Sequence, residues 1–93
     1  MFEQVLRKMR EKVRTRQYVM TLHAEEEMND DNLSIFDVEH CILTGTIVER
    51  QRDVTTAEWK YRIAGETFGG SQAEVIAKLS VVDKLVIITV YLS

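Results

Sequence analysis

Glu58-Trp59-Lys60-Tyr61-Arg62-Ile63-Ala64 is the stretch on which the fold turns. Trp59, Tyr61 and Ile63 alternate with Lys60, Arg62 and Ala64. Successive side chains of a strand point to opposite faces, so this pattern reads as a strand with one apolar and one polar face. The period of two continues on both sides. Thr46–Arg52 reads as a preceding strand, with Asp53 to Thr56 as polar loop between them. Gly65 and Gly69-Gly70 bracket the following turn. Ala73–Ser80 gives a third strand and Leu85–Leu92 a fourth, joined near Val82-Asp83-Lys84. Links this short join antiparallel neighbours. Leu85–Leu92 is apolar on both faces, which places it centrally, with helices over at least one side.

Ahead of Thr46 the period is helical. Phe2, Val5, Leu6, Met9 and Val13 share one side of a helix over 2–14, with arginines and lysines between them. Met20, Ala24 and Met28 recur every four residues and give the buried side of a second helix, about Leu22 to Asn29, for which Thr21 is the cap. Ser34 with Asp37 three residues on forms a capping box that opens a third helix, and Gly45 stops it. The expected fold is therefore α+β: two to three N-terminal helices, then a four-stranded antiparallel sheet. It forms a single domain over 1–93, with residues 1–16 as an N-terminal amphipathic helix ahead of the rest.

Composition narrows the function. Hydrophobic residues make up 45% of the chain and charged residues 29%, ordinary globular values. The lone Cys41 rules out an intrachain disulfide framework and fits a reducing compartment. No apolar run reaches the roughly 18–20 residues of a membrane span, and no apolar signal core follows the first basic residues. A cytoplasmic protein with no membrane partner is expected. The net charge of −3 argues mildly against a nucleic-acid binder by global electrostatics, but the charge is segregated. Arg7, Lys8, Arg10, Lys12, Arg14 and Arg16 face the single acid Glu11, whereas 25–39 carries seven acids and no lysine or arginine. A local basic face is compatible with this pattern.

No self-sufficient catalytic motif is present. The Gly65–Gly70 segment joins two strands and precedes no helix, so it is a hairpin and not a phosphate loop. One cysteine and two histidines have no zinc spacing, and no cofactor is expected. His40-Cys41 cannot act as a nucleophilic pair, because adjacent helical residues point about 100° apart.

His23 stands out. It lies beside the buried stripe of its helix, with Glu26 and Glu27 three and four residues on, within reach. A border histidine of this kind either serves as an acid or base or only bonds a neighbour. Lys60 and Arg62 share one strand face, and Arg50 and Arg52 share a face of the strand before. If those strands pair, several cations can gather on one side of the sheet. RNA cleavage asks for little more: a base for the 2′-hydroxyl, cations for the phosphate and an acid for the leaving oxygen. Tyr61, Trp59 and Tyr91 can stack an unpaired base. The alternative is a solvated amphipathic sheet.

From Thr21 onward the chain resembles the domain-of-unknown-function family 4258. The likeness rests on Leu22-His23-Ala24, Met28, Leu33-Ser34, Asp37-Val38 and Thr44-Gly45, then on Glu58, Lys60-Tyr61, Ile63, Gly65 and the closing Ile87-Ile88-Thr89-Val90-Tyr91. It covers 21–93 and leaves out the first helix. The family is grouped by fold with the barnase/RelE-like ribonucleases. The resemblance implies a metal-independent endoribonuclease, a toxin with an antitoxin partner. In that reading His23 is the general acid or base, and Lys60 and Arg62 bind phosphate. Thr89 positions a phosphate oxygen, and Arg50, Tyr61 and Tyr91 contact the RNA. The competing reading is a non-catalytic protein-binding module of the same fold. The apolar stripe of the first helix also suggests a homodimer.

Overall fold

Three helices form where an apolar stripe coincides with an end signal. The computed structural model describes residues 1–93. Helix α1 (Glu3–Arg14) turns Leu6, Met9 and Val13 inward, with Glu3 in its first turn and Lys12 and Arg14 in its last, as the helix dipole favours. In α2 (Leu22–Asp30) the Thr21 hydroxyl accepts the Ala24 N–H at 3.1 Å. The capping box of α3 (Ile35–Thr44) is complete. Ser34 Oγ accepts from the Asp37 backbone, and the Asp37 carboxylate accepts from Ser34 N–H at 2.9 Å.

The sheet has five strands and is mixed, which corrects the four-stranded antiparallel expectation. Its strands are β1 (Tyr18–Met20), β2 (Thr46–Arg52), β3 (Trp59–Glu66), β4 (Gln72–Leu79) and β5 (Leu85–Leu92), in the order β1-β5-β4-β3-β2. β2 to β5 pair antiparallel, and β1 pairs parallel with β5, Val19 opposite Val86. Three residues are too few to carry a readable period, and Met20 suits the helical spacing of Ala24 and Met28 equally well. In the structure Met20 belongs to β1, not to α2. The addition of β1 makes β5 an interior strand, in keeping with its apolar sequence.

One face of the sheet is covered. Ile63, Val75, Ala77, Leu85, Ile87 and Val90 meet Met9 and Val13 of α1, Ala24 of α2, and Val38, Cys41 and Ile42 of α3 in one core. The inward stripe of α1 is thus used within the fold and is not free for a second copy. Burial pushes the Cys41 thiol up to about 11, so it behaves as an apolar core group. Where α3 ends against β3, a Cβ at Gly65 would lie 2.3 Å from the Cys41 carbonyl oxygen, and one at Gly45 would lie 2.5 Å from that of Ala64. Two glycines are what allow the backbones to approach so closely. Arg10 of α1 finishes the same corner, donating to the carbonyls of Ile42 at 3.2 Å and Gly45 at 2.7 Å. No helix is long and apolar enough to cross a membrane.

Candidate functional site

α2 lies along the edge of β5 just beyond the point where β1 ends. Thr21 N–H donates to Ile87 O at 3.0 Å, and its hydroxyl donates to Ile88 O at 3.1 Å, fixing the start of the helix. Six residues on, the Glu27 carboxylate accepts the Val90 N–H at 3.1 Å, satisfying a strand donor that β1 is too short to reach. The same oxygen, Oε1, lies 3.2 Å from Nε2 of His23. The imidazole is 65% exposed, while its carboxylate partner is only 26% exposed and tied to the sheet. A solvent-facing ring thus stands at ion-pair distance from a carboxylate that the sheet holds in place.

Across the uncovered face of the sheet, side chains from four strands converge. Arg62 donates through Nε to Glu49 Oε1 at 3.0 Å and through Nη1 to Glu74 Oε1 at 2.7 Å. Glu74 Oε1 also accepts the Tyr91 hydroxyl at 2.6 Å. The Tyr91 hydroxyl, and after it Arg62, hold the Glu74 carboxyl below its usual range. The carboxylate in turn raises Tyr91, chiefly by accepting its hydrogen bond. Both carboxylates stabilise the charged form of Arg62. Thr89 stands on this face opposite Ile76, and Lys60 opposite Gln51. Arg62, Thr89, Tyr91 and Lys60 are thus brought to one surface. His23 is not brought into contact with them: it stands on α2, which packs along β5 and sends Ala24 into the core on the covered face, and β5 is itself two strand spacings, about 9–10 Å, from the strand of Arg62.

Arg50 and Tyr61 are not brought there. Arg50 pairs with Tyr61 across the β2–β3 ladder and shares its face, the face that α1 covers. The Arg50 guanidinium lies 3.9 Å from the centre of the Trp59 ring and 5.7 Å from that of Phe2, and Arg52 lies 4.7 Å from Trp59. Tyr61 is buried edge-on against Phe2, its ring centre 5.8 Å away. The strands pair, but the expected gathering of several cations on one side is reduced to two: Lys60 and Arg62 face outward, Arg50 and Arg52 toward α1. An extra residue, Val48, between the paired Ile47 and Glu49 sets this register.

Glu49 and Glu74 are the residues that sequence reasoning missed. Their signal is faint but present: Gln72, Glu74, Ile76 and Lys78 alternate with the buried Ala73, Val75 and Ala77, so Glu74 belongs to the polar face. His40, the other histidine, stacks on Phe68 with ring centres 4.6 Å apart. No group of three or more His, Cys, Asp or Glu residues gathers to hold a metal ion. Among known families, the one described as a domain of unknown function (DUF4258) matches residues 20–92. No curated protein and no solved structure matches the chain.

Proposed function

The chain belongs to the DUF4258 family, and from that premise we propose a metal-independent endoribonuclease of the RelE-like toxin type, paired with an antitoxin protein. The observation that carries the reading is the His23–Glu27–Val90 arrangement. An exposed imidazole is oriented by a carboxylate that the last strand holds in place. In this role His23 takes the 2′-hydroxyl proton or returns one to the leaving 5′-oxygen. Glu27, 3.2 Å from Nε2, keeps the ring aligned. Arg62 and Lys60 carry the charge that develops on the phosphate, and Thr89 and Tyr91 offer hydroxyl donors on the same face. Barnase/RelE-like kinship is part of this proposal. It accounts for helices that precede a sheet with one uncovered face.

The test is cleavage of a defined RNA by the purified chain in chelator, with His23→Ala compared at equal foldedness by circular dichroism. Cleavage that disappears in folded His23→Ala supports the mechanism. Equal cleavage by both proteins removes it.

One observation favours the second reading, a non-catalytic protein-binding module. Arg62 is held between two carboxylates, so its charge is largely neutralised before any phosphate arrives. Absence of cleavage, together with specific binding of a co-encoded partner through the open face, is the outcome that reading expects.

A further inference from the structure

Several cations without a carboxylate partner lie on the other side of the sheet from Lys60 and Arg62. Arg50 and Arg52 meet no carboxylate; aromatic faces hold their guanidiniums. Aromatic contact fixes a guanidinium while leaving its charge and its hydrogen-bond donors available. Arg7 and Lys8, exposed on α1, are likewise without an acidic partner within 4.0 Å, whereas Lys12 is matched by Asp83 at 2.8 Å. Three adjoining hollows of about 480, 260 and 560 Å³ are lined by Arg7, Lys8 and Arg50 among others, and Arg52 reaches the second only through the Trp59 ring it lies against. The first is lined by Arg7, Lys8, Val5 and Leu79, the second by Val5, Leu79, Trp59 and Tyr61, and the third by Val5, Tyr61 and Arg50. Val5 lines all three, so they form one groove between the first half of α1 and the β3–β4 end of the sheet. Two acids border it, Glu3 and Glu58, and Glu58 faces Lys78 at 3.4 Å.

We propose that this groove binds a single-stranded RNA segment, with phosphates on Arg7, Lys8, Arg50 and Arg52 and a base against Trp59. Cations at both ends of an apolar floor that includes a 37% exposed indole match a strand with charge on its backbone and flat apolar bases. A membrane surface is a poor fit, because the apolar side of α1 is buried in the core and cannot enter lipid. The proposal rests on the RNA reading above for the identity of the polymer. The groove, however, is formed partly by α1 residues that lie outside the family match.

The test is fluorescence anisotropy of a labelled oligouridylate at several salt concentrations, in chelator, with the intact chain. R7Q/K8Q and R50Q/R52Q each weaken binding by at least about tenfold at low salt. Each also reduces the slope of log K against log salt by about 1.4, some 0.7 for each lost phosphate contact. R16Q/K84Q removes the same charge outside the groove and changes both quantities much less. The proposal is overturned if that control weakens binding as much as the groove variants do. Failure of the wild-type chain to bind the oligonucleotide, or a preference for phosphatidylserine vesicles, also overturns it. Cleavage with groove-independent binding sinks the groove alone; groove-dependent binding without cleavage supports the groove and sinks the nuclease reading alone.

Discussion

Arg62 Nη1 and Glu74 Oε1 meet at 2.7 Å on the uncovered face of the sheet, at an oxygen that also accepts the Tyr91 hydroxyl. Those partners lower the Glu74 pKa from an ordinary 4.5, so the folded state binds the proton less readily than the unfolded chain. The stabilisation from this cluster is therefore present above pH 4.5 and is lost as pH falls through the folded-state value. Thermal midpoints measured from neutral to acidic pH should show a gap between wild type and Glu74→Gln that narrows below that range. A gap that stays constant would dissociate the carboxylate from the effect.

His23→Ala is expected to leave the fold intact, with a stability change within about 0.5 kcal/mol, because the ring is mostly in solvent. RNA cleavage should fall by about 10²–10⁴-fold, the usual weight of a general acid or base. Glu27→Gln should give an intermediate loss, since the amide oxygen can still accept from Val90 N–H while the carboxylate beside Nε2 is gone. Single-turnover kinetics on a labelled RNA distinguishes the three proteins.

Arg10→Ala should lower stability by about 1–2 kcal/mol in urea melts, because it strips a charged donor from the Ile42 and Gly45 carbonyls at the end of α3. Arg7→Ala, on the exposed side of the same helix, should change stability by less than about 0.5 kcal/mol.

Gly65→Ala is expected to cost at least about 2 kcal/mol, since its methyl would meet backbone atoms and not a flexible side chain. Gly69→Ala, whose nearest neighbour would be the Thr67 hydroxyl at 3.8 Å, should be mild. Paired urea melts of the two variants check the contrast.

Burial, and after it the Glu39 carboxylate that accepts its hydroxyl, raises Tyr18 to about 12. Its raised value means that this contribution to stability is intact below pH 10 and fades as pH climbs through the folded-state value. Tyrosinate absorbance should show a step near pH 12 that Glu39→Gln moves downward.

Much of this fold was legible because local signals were strong. The Ser34–Asp37 box, the Gly45 stop and the alternation through Trp59–Ala64 each have a chemistry that needs no tertiary partner. β1 was not legible, since Tyr18–Met20 becomes a strand only when Leu85–Ile87 is beside it. The side of the sheet taken by each cation was hidden for a related reason. Parity within a strand shows that Arg50 and Arg52 share a face, and so do Lys60 and Arg62. Whether those faces coincide depends on register, and the Val48 bulge sets register through pairing that no short window contains. His23 could be singled out from its helix alone. The anchoring of Glu27 on Val90 could not, because that contact spans 63 positions.

The interior place of β5 has a temporal consequence. As ribosomes deliver the chain from the N-terminus, β1 and α2 emerge long before the strand that both lean on, while the β2–β3–β4 meander can already close. Until Leu85–Leu92 appears, Glu27 lacks the Val90 donor that anchors it, so the His23 arrangement cannot assemble. Any activity that depends on it is withheld from the nascent protein until that strand pairs with β4 and gives Tyr18–Met20 the partner that makes it β1.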